Sequence, residues 1–192
     1  MLKTTEHSVP QLTSALMLVA LLGVANPALA AQAPVPPEHN PPGDIPDTQV
    51  FITYDGPGFA MQVPEGWARH DLASGATFND KYNIISVTTD PATQAATVET
   101  VRSGAVAKLE GLDRAVKVTA VKATNLKGGK AVEIDYSINS EPNAVTNKRL
   151  RLEDVRYLIF ANGKLVTLDM AAPLGADNVD QWNLMANSVR IK

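Results

Sequence analysis

The residues able to do chemistry are few. The chain has no cysteine and three histidines. That removes disulfides, thiolate metal sites and a thiol nucleophile. His39 lies among prolines with no ligand partner near it in sequence. His70 stands beside Asp71 and within reach of Asp80 in sequence, a weak set for a cation. His70 would also have to serve any Ser-His-Asp triad, but no Gly-x-Ser-x-Gly elbow presents a serine. Gly128-Gly129 lacks the spacing of a phosphate loop. Glu133 and Asp135 alternate onto one strand face, where Lys117 or Arg151 can balance them. No catalytic set emerges, no cofactor is called for, and the chain reads as a non-enzyme.

The basic residues give a sharper expectation. Lys148, Arg149, Arg151, Arg156 and Lys117 fall on neighbouring strands or turns, with Lys122, Lys127 and Lys130 nearby. From 31 to 113 the chain has 4 basic and 11 acidic residues, and from 114 to 164 it has 10 basic and 5 acidic. Charge segregated in this way predicts an oriented field and an anionic partner. The expected partner is an envelope protein or an anionic surface. Nucleic acid is not expected, because the chain is net acidic at −3 and exposed aromatics do not interleave with the basic residues.

The elements that must position these residues begin with a leader. Lys3 precedes an apolar run from Ala15 to Ala25, Pro27 breaks it, and Ala28-Leu29-Ala30 forms a small-x-small site. That order predicts a signal peptide over residues 1–30, too short in its apolar core to span a bilayer. Without a cysteine at the cleavage site, lipid attachment there is excluded. The mature chain is expected outside the cytoplasm: periplasmic, bound to the wall, or secreted. Membrane association is then peripheral, or through an uncleaved leader.

Residues 31–49 hold six prolines, Pro34, Pro36, Pro37, Pro41, Pro42 and Pro46, which cannot donate to a ladder. They read as an extended, disordered tether. One globular domain is expected over 50–192. It opens with a short strand at Phe51–Tyr54, and Phe59, Met61 and Val63 then alternate onto one face. A helix is expected over Thr97–Leu112, with Val98, Val101, Ala105, Leu109 and Leu112 as its stripe and Thr97 as its cap. Long strands follow. Val132, Ile134, Tyr136 and Ile138 point inward, residues 139–147 form a loop, and Lys148–Phe160 is long enough to predict a bulge near Glu153-Asp154. Asn162-Gly163 is a hairpin turn. A last helix begins at Asp177, with Val179, Trp182, Met185, Ala186 and Val189 as its apolar stripe. Two helices on a twisted antiparallel sheet make a layered α+β domain.

The string Gly58-Phe59-Ala60-Met61-Gln62-Val63-Pro64-Glu65-Gly66-Trp67 resembles the first hairpin of PsbP-like domains. The resemblance continues through Thr77–Asp80, Asn83–Thr89, Arg156–Phe160, Lys164–Leu168 and Met185–Val189, from about 50 to 192. Glu141–Thr146 and Gly175–Trp182 are similar to exported PsbP-like lipoproteins of actinobacterial type, although the lipid-bearing cysteine of those proteins is missing here. The resemblance implies an antiparallel sheet sandwiched between helices. It also implies a binding or assembly role, since the family includes a photosystem II subunit and a Ran-binding import factor. A second expectation is a carrier or chaperone for an apolar or lipidic ligand, using a helix–sheet cleft near Trp67 or Trp182.

Overall fold

The computed structural model describes residues 31–192. The leader expected over residues 1–30 lies outside the described residues. Among the described residues no helix is long and apolar enough to cross a membrane.

Two antiparallel sheets form the frame. The smaller runs β1–β2–β10, with β1 at Phe51–Gly56, β2 at Phe59–Pro64 and β10 at Arg190–Ile191. The larger runs β3–β4–β5–β9–β8–β7–β6. Its strands are β3 Ala68–Leu72, β4 Gly75–Asn79, β5 Ile84–Pro91, β6 Lys117–Leu126, β7 Gly129–Asn139, β8 Arg151–Ala161 and β9 Lys164–Pro173. Asn162 and Gly163 both take positive φ, 52° and 70°. That is the backbone a two-residue hairpin with right-handed twist requires, so β8 and β9 pair without a slip. Gly75 permits a close approach of backbones: a Cβ there would lie 1.8 Å from the Val87 carbonyl oxygen.

Strand alternation divides the core between the two faces of the large sheet. On one face Val155, Tyr157 and Ile159 of β8 join Val166, Leu168 and Met170 of β9, and Ile85 and Val87 of β5. They pack against Phe59, Met61 and Val63 of β2 and against Trp182, Met185 and Ala186 of helix α3 (Val179–Ser188). On the other face Val132, Ile134, Tyr136 and Ile138 of β7 join Leu152 and Leu158 of β8 under a second helix. This is the expected layered α+β arrangement, with a small second sheet beside α3.

That second helix is interrupted. Segments α1 (Val98–Val101) and α2 (Ala107–Glu110) flank a π-helical segment, Arg102–Val106. A regular stripe would bury Ala105. The observed helix buries Val101, Val106 and Leu109 instead, and the five-residue step from Val101 to Val106 matches π spacing. Leu112 is left 44% exposed. Thr97 does cap the helix, in a reciprocal box with Thr100. Thr97→Ala should cost about 1 kcal/mol of stability, readable by urea denaturation.

Three further expectations are corrected. The bulge lies not at Glu153-Asp154 but in β6, between Val118 and Ala120. Helix α3 begins at Val179 with Asn178 as N-cap, and Asn178 makes no side-chain cap because its Oδ1 accepts from the Ile45 amide at 2.6 Å. Most consequentially, residues 31–49 are no disordered tether. They pack within the same compact unit as the rest of 31–192. Ile45 is 3% exposed, inside the core. The prolines keep this strap out of any ladder, but three of its remaining amides find side-chain acceptors: Gln32 on Asp113, Val35 on Asn139, Ile45 on Asn178. Backbone donors removed from water need such partners.

Candidate functional site

The five basic residues do not converge. Lys148 faces solvent in the loop before β8. Arg149 donates to the Ser140 carbonyl at 2.7 Å and approaches Glu141 at 3.9 Å. Arg151 is buried, and its guanidinium donates to the Ala115 carbonyl at 2.8 Å, Asn139 Oδ1 at 3.0 Å and Ser137 Oγ at 2.6 Å. Arg156 emerges from the opposite face of β8 and is ion-paired to Asp169. Odd and even positions of a strand point apart, so Arg151 and Arg156 cannot share a surface. Lys117 is exposed at the start of β6. The expected single basic face is corrected to two internal clamps, a half-buried Arg149 held by Ser140, and the exposed Lys148 and Lys117.

Two other candidates also have other employment. Asp71 is held by Arg69 at 2.6 Å, which lowers its pKa through that hydrogen bond. Asp80 accepts from the Tyr82 and Asn83 amides at 2.7 and 2.6 Å, closing its own turn.

The structure instead opens a cleft of about 590 Å³ between the β6–β8 floor and α3. Val179 and Trp182 of α3, with Leu174, form its apolar side. Its floor carries Glu133 and Asp135 of β7, Glu153 and Tyr157 of β8, and Lys117 and Lys122 of β6. Lys122 bridges Glu133 at 2.9 Å and Asp135 at 3.3 Å. Burial raises the Glu133 carboxyl, and Lys122 opposes that rise. Burial also raises Glu153, which receives only the Gly175 amide in return. No basic side chain pairs with Glu153 among the described residues. This is the helix–sheet cleft expected near Trp182, but its floor is charged rather than apolar.

A second, smaller slot of about 240 Å³ lies on the other face, under the end of α2. Tyr136, Asp154, Arg156 and Asp169 line it on three adjacent strands. Burial, then the neighbouring Asp169, pushes the Asp154 carboxyl up to about 7. Burial also raises Asp169, and burial with Asp154 raises the Tyr136 hydroxyl. Asp154 Oδ2 is sealed from solvent and has no hydrogen-bond partner among the described residues. The sequence did carry a signal for this cluster. The strand phase that turns Leu152 and Leu158 inward turns Asp154 and Arg156 inward with them.

No family model matches this chain, and no curated protein matches it. Solved structures do. The cyanobacterial PsbP of Synechocystis sp. PCC 6803 is 17% identical, with a TM-score of 0.54 over 78% of this chain and 98% of that one. LpqN, a protein involved in cell envelope biogenesis of Mycobacterium tuberculosis, is 16% identical over 76% of this chain and 91% of that one, with a TM-score of 0.49. At such identity the likeness to cyanobacterial PsbP is one of fold.

Proposed function

We propose that this PsbP-like fold serves as an exported, non-catalytic binding or assembly module of the cell envelope, with the cleft beside α3 as its recognition site. Export rests on the leader pattern of residues 1–30. The observation that carries the binding reading is Glu153. A partly buried carboxylate without a cation costs stability, and such perturbed groups in clefts mark functional sites. A partner that places a basic or hydrogen-bond-donating group over Glu153, against Trp182, would answer that charge. A second reading, a carrier of a small amphiphilic ligand, is favoured by the cleft's volume, which falls within the range of small-molecule sites.

Both readings are tested by a photo-crosslinking side chain at Val179, which is 63% exposed on the cleft rim. In intact envelopes it should give a discrete adduct, absent when the probe stands at Val145. A protein-sized mass gain supports the assembly module, and a gain below about 1 kDa, the size of a drug-like ligand or lipid, supports the carrier. Equal labelling at both positions would contradict a recognition cleft. Export predicts that the same material begins at Ala31, by amino-terminal sequencing; an intact Met1 on envelope-free protein would contradict it.

A further inference from the structure

We propose that the slot beneath α2 is a second binding site, for a small apolar molecule headed by a hydrogen-bond donor, with Asp154 Oδ2 as the acceptor. It lies on the opposite face of the large sheet from the α3 cleft, so it stands independently of that reading.

The slot has the parts such a site needs. Its volume of about 240 Å³ holds on the order of eight water-sized groups. Its walls are apolar: Leu109 from α2, Ile138 and Leu152 from β7 and β8, and Ala171 from β9. Ile84 and Leu112 of its lining are 49% and 44% exposed, so the slot is open on their side, and a head group reaches the covered Asp154 Oδ2 by displacing side chains. The polar floor selects the head. Arg156 is committed to Asp169. Arg114, at the rim, donates to the Asn139 carbonyl at 2.7 Å and pairs with Glu141 at 3.2 Å. Tyr136 lines the slot beside Asp154. Both guanidinium groups are ion-paired through part of their donor set, whereas Asp154 Oδ2 is the slot's buried polar atom with no partner among the described residues. A buried acceptor without a donor is destabilising, and a ligand N–H or O–H recovers that loss. A carboxylate head would set like charges together. The helix above is the one carrying the π-helical segment, a feature frequent at functional sites.

The charged and titratable groups facing Asp154 are Tyr136 of β7, Arg156 of β8, Asp169 of β9 and Arg114 before β6. The lining from α2 and β5 supplies none. Because Asp154 ionises near 7, an ammonium head should bind more tightly as pH rises through that value.

The test uses the 31–192 chain with hexylamine and 1-hexanol as donor-headed probes and hexanoate as the acceptor-headed control, at pH 8. The readout is amide chemical shifts at Leu109 and Ala171. Saturable shifts with either donor probe and none with hexanoate support the site, and the tighter of the two identifies a charged or neutral head. Asp154→Asn should weaken hexylamine at least ten-fold. Ala171→Leu, which fills the slot, should abolish all probe binding. Hexanoate binding as tightly as the donor probes would overturn the proposal. So would unchanged affinity in both variants, or no shift with any probe and only an ordered water on Oδ2.

Discussion

Asp154→Asn should stabilise the protein at pH 8 by up to about 4 kcal/mol, raising its melting point by roughly 10 °C. The Asp154 carboxyl is displaced from 3.8 to about 7, first by burial and then by Asp169. One unit of pKa is worth about 1.36 kcal/mol. A raised folded-state value means the native protein holds its proton more tightly than the unfolded chain does. The resulting stability is complete below about 4, is lost as pH climbs through about 7, and stays lost above it. Glu133, Glu153 and Asp169 are raised too, so the wild-type protein should melt higher at pH 5 than at pH 8. Asparagine removes the Asp154 part of that slope while keeping the shape of the side chain. Melting curves at both values check it. A variant that melts lower than wild type at pH 8 would show that the ionised carboxylate is well satisfied after all.

Asn139→Ala should destabilise the domain by about 4 kcal/mol and release the start of the strap. Asn139 is fully buried. Its Oδ1 accepts from the Val35 amide and from Arg151, each at 3.0 Å. Its Nδ2 donates to Gln32 Oε1 at 2.7 Å and the Ala33 carbonyl at 2.8 Å. Four hydrogen bonds at about 1 kcal/mol each set the scale. Arg151 would keep Ser137 and Ala115 but lose part of its solvation in a place water does not reach. Limited proteolysis should then cut between Gln32 and Glu38 in the variant and spare the wild type. Equal cleavage of the two would mean that Asn139 does not hold the strap.

The sheet was legible because period-2 alternation in β7, β8 and β9 is clean and the turns are spelled in Gly and Asn. The strap was not. Proline content predicts the absence of a ladder, and nothing local shows that Asn139 and Asn178, more than a hundred residues away, will supply acceptors. Strand β3 was missed for a different reason. All five of its residues are exposed, so Ala-Arg-His-Asp-Leu has no inward phase to read, and only pairing to β4 makes it a strand. The basic-face expectation failed because strand phase separates Arg151 from Arg156 and burial takes Arg151 inside. The same phase, read for buried charge, marks Asp154. Glu153 was harder to see, since its significance depends on α3 closing over the floor from the far end of the chain.

Recognition of a partner by the α3 cleft is proposed to run through Glu153. Its most direct measurement is the yield of the Val179 crosslink in a chain carrying Glu153→Gln, which keeps an acceptor for the Gly175 amide and removes the charge. The yield should fall at least ten-fold with the melting point unchanged at pH 5. An undiminished adduct would contradict it.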